Sequence, residues 1–159
     1  MRNRHFEDEW FMDIALKNAE KAYSKGEVPV GAVVVCPEGK VISESFNLKE
    51  SNLDPLGHAE VIAIKAAAQK TSSWRLNDCT LYVTLEPCLM CLASITHSRI
   101  KRLVFGAYDP KGGAFSLGYY FNKDKRLNHR FSAVGGLSHY KCSKLLSSFF
   151  KERRKGYKK

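Results

Sequence analysis

Glu86-Pro-Cys-Leu-Met-Cys91 sets the architecture of this chain, because it joins a strand-like run that ends at Leu85 to a helix-like run that ends at His97. Proline is tolerated in the first turn of a helix, and we expect the proline of this stretch to lie there. Cys88 and Cys91 are three positions apart, so their sulfur atoms share one face at the start of the helix. The partial positive charge of a helix N-terminus favours thiolates, and two thiolates suit a zinc ion. The stretch therefore predicts a metal site whose third ligand comes from elsewhere in the chain.

The composition predicts one globular domain over residues 1–159. Hydrophobic residues make up 44% of the 159 residues, which is enough for a core of ordinary size. No apolar run approaches the roughly 20 residues that cross a bilayer, and the N-terminal residues lack the apolar core of a signal peptide. The five cysteines are an odd number, so we expect no disulfide framework. These features predict a cytoplasmic protein that does not associate with a membrane.

The positive charge of the chain is concentrated in its second half. The formal net charge is +10, and residues 101–159 hold 15 Lys or Arg against 3 Asp or Glu. Many of these basic residues lie in a predicted C-terminal helix and tail, over about 138–159. Such an asymmetry favours a face that binds a polyanion, nucleic acid above all. The alternative is that the excess of lysine only improves solubility.

The order of strands and helices predicts an α/β fold with an antiparallel pair followed by parallel pairing. A nearly continuous apolar run, Val28 to Cys36, and a second predicted strand, Val41 to Phe46, flank a tight turn and predict a β-hairpin. We expect Cys36, at the end of the first run, to lie in the core. Residues 119–130 show no pattern that assigns them to a helix or a strand. Further strands are predicted over 80–85, 102–107 and 131–137, and helices over 6–25, 58–70, 88–97 and 138–154.

A second pair of functional side chains, His58 and Glu60, opens the helix predicted from residue 58. In parallel strand–helix units the helix N-termini gather at one edge of the sheet, so this pair and the two cysteines can converge. One imidazole and two thiolates leave one tetrahedral position open, which is typical of a catalytic zinc site. Glu60 is the carboxylate placed to act as a base beside the metal. Residues two apart diverge on a regular helix, so both side chains reach the metal only if the first turn is irregular.

His58-Ala-Glu60 followed by Pro87-Cys88-Leu-Met-Cys91 is similar to the signature of the zinc deaminases. The order of further residues resembles the bacterial tRNA-specific adenosine deaminases over nearly the whole chain. These further residues are Pro29 to Ala32, Asn47, Asp54-Pro55, Thr84 to Cys91, His97 to Ile100, Phe105 to Ala107, Asp109 and Phe149-Phe150.

The resemblance implies a three-layer α/β/α, cytidine deaminase-like fold with a five-stranded mixed sheet. It implies a homodimer with one Zn²⁺ per subunit, held by His58, Cys88 and Cys91. The implied reaction converts adenosine to inosine at the wobble position (34) of a tRNA anticodon stem-loop. In that reaction Glu60 would take a proton from water, pass it to the base, and then carry a second proton to the departing ammonia.

The resemblance also implies a set of RNA contacts. Asn47 would hydrogen-bond the base, because its amide offers a donor and an acceptor together. Phe115 departs from the family pattern, in which glycine is usual at that position, so the details of RNA contact in this loop are open. The residues implied to bind substrate are Val30, Asn47, Asp109, Lys111, Phe150, Arg153 and Arg154.

Other interpretations compete with this one. Cys-x-x-Cys at a strand–helix junction is also typical of thioredoxin-like redox pairs, but those do not require His58 and Glu60. A structural zinc site would need a fourth ligand, and no remaining cysteine or histidine has ligand spacing. Two functional alternatives remain: a deaminase of free bases or nucleosides such as guanine or cytosine, and a catalytically inactive RNA-binding module. The basic second half and Asn47 favour tRNA, and the intact metal and base residues argue against an inactive module.

Overall fold

The computed structural model describes residues 4–156, with the side chains of residues 7–156. The last three residues of the predicted basic tail, 157–159, lie outside this range. The elements follow the order α1 (Arg4–Ser24), β1 (Gly31–Val35), β2 (Val41–Phe46), α2 (Ala59–Thr71), β3 (Thr80–Leu85), α3 (Leu89–His97), β4 (Arg102–Ala107), a 3₁₀ turn (Phe121–Lys123), β5 (Ser132–Gly135) and α4 (His139–Gly156). None of the described helices is long and apolar enough to cross a membrane.

The strands form one five-stranded mixed sheet in the order β2-β1-β3-β4-β5. The predicted hairpin of β1 and β2 is confirmed, and β1 also pairs with β3 in the antiparallel sense. β3, β4 and β5 are parallel to one another, and α3 crosses over between β3 and β4 as parallel neighbours require. Because α3 follows β3 after a short turn, the N-terminus of α3 lies at the carboxyl edge of the parallel strands.

Alternate residues of the strands pack against helices on opposite faces, which confirms the three-layer α/β/α prediction. Ala32 of β1 lies in the core cluster formed with α2 and α3, together with Leu92. Its neighbour Val33 lies in the cluster formed with α1 and α4, which includes Met12 and Cys142. A continuous apolar strand such as β1 is the expected result when both faces of a sheet are covered.

α1 is fixed to the sheet by a close backbone contact with β1 and by a network of polar side chains. A side chain at Gly31 would collide with the backbone carbonyl of Ala15 on α1, so only glycine fits there. Asp8 accepts a hydrogen bond from the Tyr82 hydroxyl at 2.7 Å and two from the Arg102 guanidinium, both at 2.7 Å. This bidentate pairing satisfies a buried carboxylate that would otherwise be costly.

The predicted strand over 28–36 is too long at its N-terminal end. The Val30 N–H donates to the Val28 carbonyl at 2.8 Å, so the chain turns before it enters the sheet. The Val30 carbonyl then accepts the Asn47 N–H at 3.0 Å, which brings these two residues together beside the sheet. The expectation that Cys36 is core is wrong: it is half-buried, and its N–H donates to the Lys40 carbonyl within the hairpin turn.

Candidate metal centre and substrate pocket

The side chains of His58 and Glu60 point to the same side of the N-terminus of α2, because the histidine lies just outside this helix. His58 is the N-cap of α2 with φ −76° and ψ 146°, an extended conformation, while Glu60 lies in the first helical turn. The irregular first turn demanded by the sequence is therefore present. Its cause is the cap itself, since an N-cap residue has non-helical dihedrals although its carbonyl accepts the first helical bond. That bond comes from Ile62 at 3.1 Å.

Cys88 occupies the corresponding position at the start of α3. It is the N-cap, with φ −73° and ψ 175°, and Cys91 lies in the first turn. The prediction that Pro87 lies in the first helical turn is wrong, because the proline precedes the cap. Its carbonyl instead accepts the N–H of Ala114 at 2.8 Å, in the loop after β4.

The three predicted metal ligands converge. The ligand atoms of His58, Cys88 and Cys91 all lie within 4.8 Å of one another. His58 Nδ1 is 3.6 Å from the Cys88 sulfur and 3.5 Å from the Cys91 sulfur. In a zinc tetrahedron with usual bond lengths, a nitrogen and a sulfur ligand lie about 3.6 Å apart. The donor set and its spacing thus fit one zinc ion held by three protein ligands, with a fourth position open.

The charges of the three ligands are tightly linked. The Cys91 thiol donates to the Cys88 sulfur, which lowers the pKa of Cys88 to about 4 and raises the pKa of Cys91. The hydrogen bond to Cys88 raises the pKa of His58. Zinc binds thiolates, so its binding at this site would release protons from the cysteines.

Glu60 lies behind the ligands and is 4% exposed. Burial raises the pKa of its carboxyl to about 7. A carboxyl with a pKa near neutrality can both accept and return a proton, which is the property required of a general base that later acts as an acid. Its position beside three metal-ligating groups makes this the chemically distinctive residue of the site.

A cavity of about 220 Å³ opens in front of these residues. Val30 and Asn47 line it, as the resemblance implies. The Asn47 amide donates to the Val28 carbonyl at 3.3 Å and accepts the Lys49 N–H at 3.3 Å. These two bonds orient the amide and leave it a further hydrogen and lone pair. The complete lining is Val28, Val30, Asn47, Lys49, His58, Ala59, Glu60, Leu85, Glu86, Cys88, Asp109 and Gly112.

A basic groove adjoins this cavity and shares Val28, Leu85 and Asp109 with it. The structure brings the five remaining residues of the implied RNA contact set to this groove. Sequence reasoning missed Tyr108, which is half-exposed and directly follows β4. An aromatic residue just past the carboxyl end of a parallel strand was the available signal. The groove is lined by Val28, Leu85, Tyr108, Asp109, Lys111, Leu146, Ser147, Phe150, Arg153 and Arg154.

The aromatic residues near the groove differ in their exposure. Phe149 of α4 is buried against α1, where it contacts the Tyr23 ring. Phe150 is 43% exposed on the groove side. Phe115, the departure from the family pattern, stacks on Phe105 with ring centroids 5.8 Å apart. Because Phe115 packs on the core, it leaves the groove open.

Comparison with known proteins gives consistent results. Residues 6–107 match the family model of the cytidine and deoxycytidylate deaminase zinc-binding region. The chain is 48% identical over 147 residues to the tRNA-specific adenosine deaminase of Haemophilus influenzae, covering 92% of this chain and 85% of the relative. A solved structure from work on "A-to-I Editing by tRNA:A34 Deaminases at the Wobble Position of Transfer RNA" matches with a TM-score of 0.81 and 41% identity, over 86% of this chain and 98% of that one. The guanine deaminase of Bacillus subtilis matches with a TM-score of 0.61 and 32% identity, over 92% and 93% of the two chains.

Proposed function

This chain belongs to the zinc-dependent deaminases, among the tRNA-specific adenosine deaminases, and from that premise we propose that it converts adenosine to inosine at the wobble position of a tRNA anticodon. The proposal takes residues 1–159 as one deaminase domain. One observation carries it: three zinc-ligating atoms converge beside a buried carboxyl, and His58, Cys88 and Glu60 line a small cavity that adjoins a basic groove. A deaminase of free bases would need the cavity alone, whereas an RNA substrate also uses the groove.

The chemistry follows from the residues around the cavity. His58, Cys88 and Cys91 would hold zinc, which when bound acts as a Lewis acid and lowers the pKa of water. Glu60 accepts a proton from the attacking water and delivers it to N1 of the adenine. It then carries the second proton to the departing amino group, so adenosine and water give inosine and ammonia. Asn47 and Val30 orient the base, one by hydrogen bonding and one by packing on its ring.

The groove accounts for the choice of an RNA loop as substrate. A base must leave its stack to enter the cavity, and unstacking costs least in a single-stranded loop. Lys111 and Arg154 supply positive charge for phosphates beside the cavity mouth, and Phe150 offers an exposed ring on which a neighbouring base can stack. We therefore propose the anticodon stem-loop as the part of the tRNA that binds here.

We further propose a cytoplasmic homodimer, as in the resembling family. The exposed apolar side chains of Leu117, Tyr119 and Tyr120 form a candidate contact surface between subunits. Sedimentation of the zinc-loaded protein measures the oligomeric state directly, and a monomer at micromolar concentration would contradict this part of the proposal.

The Glu60 hypothesis is tested with Glu60→Gln, which keeps the size of the side chain and removes its acid–base function. We expect the turnover number on an anticodon stem-loop with adenosine at position 34 to fall at least about 10²-fold, with zinc content unchanged. Glu20→Gln is the matched control, because Glu20 is exposed on α1 and lines neither the cavity nor the groove. Near-normal turnover by the Glu60 variant would refute the assigned role.

The same assay separates the alternatives. Inosine formation from the stem-loop, without ammonia release from free guanine or cytosine, supports the tRNA reaction. Product from a free base and none from the stem-loop would support the free-base deaminase. Salt-sensitive binding of the stem-loop with no product would support an inactive binding module.

A further inference from the structure

Glu86 is a buried acidic residue that the reaction described above does not use. Its side chain is 2% exposed, although it lies two positions before the first ligating cysteine. Burial of a carboxylate is costly unless hydrogen bonds compensate it. Within the part of the chain that the structure describes, no Lys or Arg forms an ion pair with it, so its hydrogen bonds carry the compensation.

Among the described residues, the donors to the Glu86 carboxylate all belong to the loop after β4. One oxygen, Oε2, accepts the N–H of Asp109 at 2.9 Å and the hydroxyl of Ser116 at 2.6 Å. The other oxygen, Oε1, accepts the N–H of Ser116 at 2.7 Å. The carboxylate therefore binds both ends of the segment 109–116 and closes it into a loop.

The loop is shaped to receive this carboxylate. Gly113 lies against the carboxylate so closely that any Cβ there would collide with it. The next residue, Ala114, donates its N–H to the carbonyl of Pro87 at 2.8 Å. The turn that carries the cysteines and the loop 109–116 are thus held together by two consecutive residues, Glu86 and Pro87.

The loop supplies one wall of the substrate pocket. Asp109 and Gly112 line the cavity, and Lys111 lines the adjoining groove. Asp109 itself stiffens the segment, because its Oδ1 accepts the N–H groups of Lys111 and Gly112, each at 3.1 Å. Those bonds are internal to the loop, so they do not fix its position relative to the metal ligands. Among the hydrogen bonds of the described residues, those to Glu86 and Pro87 tie the loop to the cysteine turn, and the apolar packing of Ala114 and Phe115 on the core adds to them.

We infer that Glu86 is a positioning residue, which holds the loop 109–116 over the substrate pocket and so sets the affinity for RNA. The inference rests on the proposed function for its substrate. Both carboxylate oxygens are turned towards the loop, so Glu86 acts through Asp109 and Ser116 and not on the reacting atoms. Loss of its charge is therefore expected to raise KM and to leave the turnover number nearly unchanged.

The isosteric variant Glu86→Gln tests the need for a carboxylate. An amide has one acceptor oxygen and an NH₂ donor, so it cannot accept from the three donors of Asp109 and Ser116. At least one buried donor loses its partner. A lost hydrogen bond to a charged group corresponds to about tenfold or more in an equilibrium, so we expect KM for the stem-loop to rise about tenfold. Ser116→Ala removes one donor only, and its KM should rise less.

The experiment combines kinetics with hydrogen exchange on the zinc-loaded protein. In Glu86→Gln we expect faster exchange in peptides that cover 109–116, zinc content equal to wild type, and a turnover number within about threefold. Glu20→Gln, the same chemical change at an exposed position of α1, should alter neither the exchange of these peptides nor KM.

Each other outcome overturns the inference. A lower turnover number with unchanged KM would make Glu86 a participant in the chemistry. Loss of zinc would show that it supports the cysteine turn and not the loop. Unchanged exchange in the loop would show that Glu86 does not hold it. If the wild-type protein fails to convert the stem-loop, the proposed function fails, but the exchange comparison still decides whether Glu86 fixes the loop.

Discussion

Arg153 and Arg154 are adjacent on α4 and both line the groove, yet the structure gives them different tasks. The Arg153 guanidinium donates to the Gly26 carbonyl at 3.2 Å and lies 5.0 Å from the centre of the Phe149 ring. Arg154 is exposed and has no hydrogen-bond partner within the part of the chain that the structure describes. Arg153 is thus engaged in packing α4, whereas Arg154 is available to a phosphate.

This difference predicts that one substitution lowers the affinity for RNA and that the neighbouring one lowers the stability of the fold. Each phosphate contact with single-stranded nucleic acid contributes about 0.7 to the slope of log affinity against log salt. Extrapolated from 1 M to 0.1 M salt, one such contact corresponds to about a fivefold gain in affinity. We expect Arg154→Ala to lower stem-loop affinity about fivefold at 0.1 M salt and to reduce the slope by about 0.7.

Arg153→Ala should act mainly on stability. Loss of a solvent-exposed guanidinium–carbonyl hydrogen bond and of a cation over an aromatic ring costs about 1–2 kcal/mol together. The assays are fluorescence anisotropy over a salt series and urea unfolding. Arg126→Ala is the control, because Arg126 pairs with Asp124 in its own turn and does not line the groove. An equal or larger loss of slope in Arg153→Ala than in Arg154→Ala would refute the reasoning.

Two further predictions concern the scaffold. Leu92→Ala, in the fully buried core beneath the cysteine turn, should lower the free energy of unfolding by about 2–5 kcal/mol in urea titrations. Leu56→Ala, at an exposed site outside the proposed subunit contact, should change it by less than about 0.5 kcal/mol, and equal losses would contradict the burial argument. Burial raises the pKa of Cys142 from 9.0 to about 11, so the neutral thiol stabilises the fold fully below pH 9 and this contribution is lost as the pH rises to about 11. The urea midpoint should therefore fall over that range less steeply in Cys142→Ala than in wild type, and identical pH profiles would contradict the assignment.

The sequence was most informative where hydrophobic runs have clear ends. The bounds of β2, β3 and β4 agree with the prediction, because β3 and β4 are largely apolar runs with polar residues beyond their ends, and β2 lies between a tight turn and a polar loop. The convergence of His58 with the cysteines was predictable from the rule that helix N-termini gather at one sheet edge. The region 119–130 was not, because residues outside the segment hold it in place. For example, the Tyr119 N–H donates to the Ala114 carbonyl, and His129 Nε2 lies 2.7 Å from the Ile100 carbonyl oxygen.

The loop contacts around the pocket had no sequence signal for a related reason. Glu27, 1% exposed, accepts the N–H groups of Glu50 and Ser51 at 3.2 and 2.6 Å, and so holds the loop between β2 and α2. Glu86 does the same for the opposite wall. A single glutamate creates no periodic pattern, and a buried one cannot be told from a solvated one by composition. Because each carboxylate replaces apolar packing with two or three directed bonds, the pocket walls are placed precisely enough for recognition while remaining polar towards an RNA substrate.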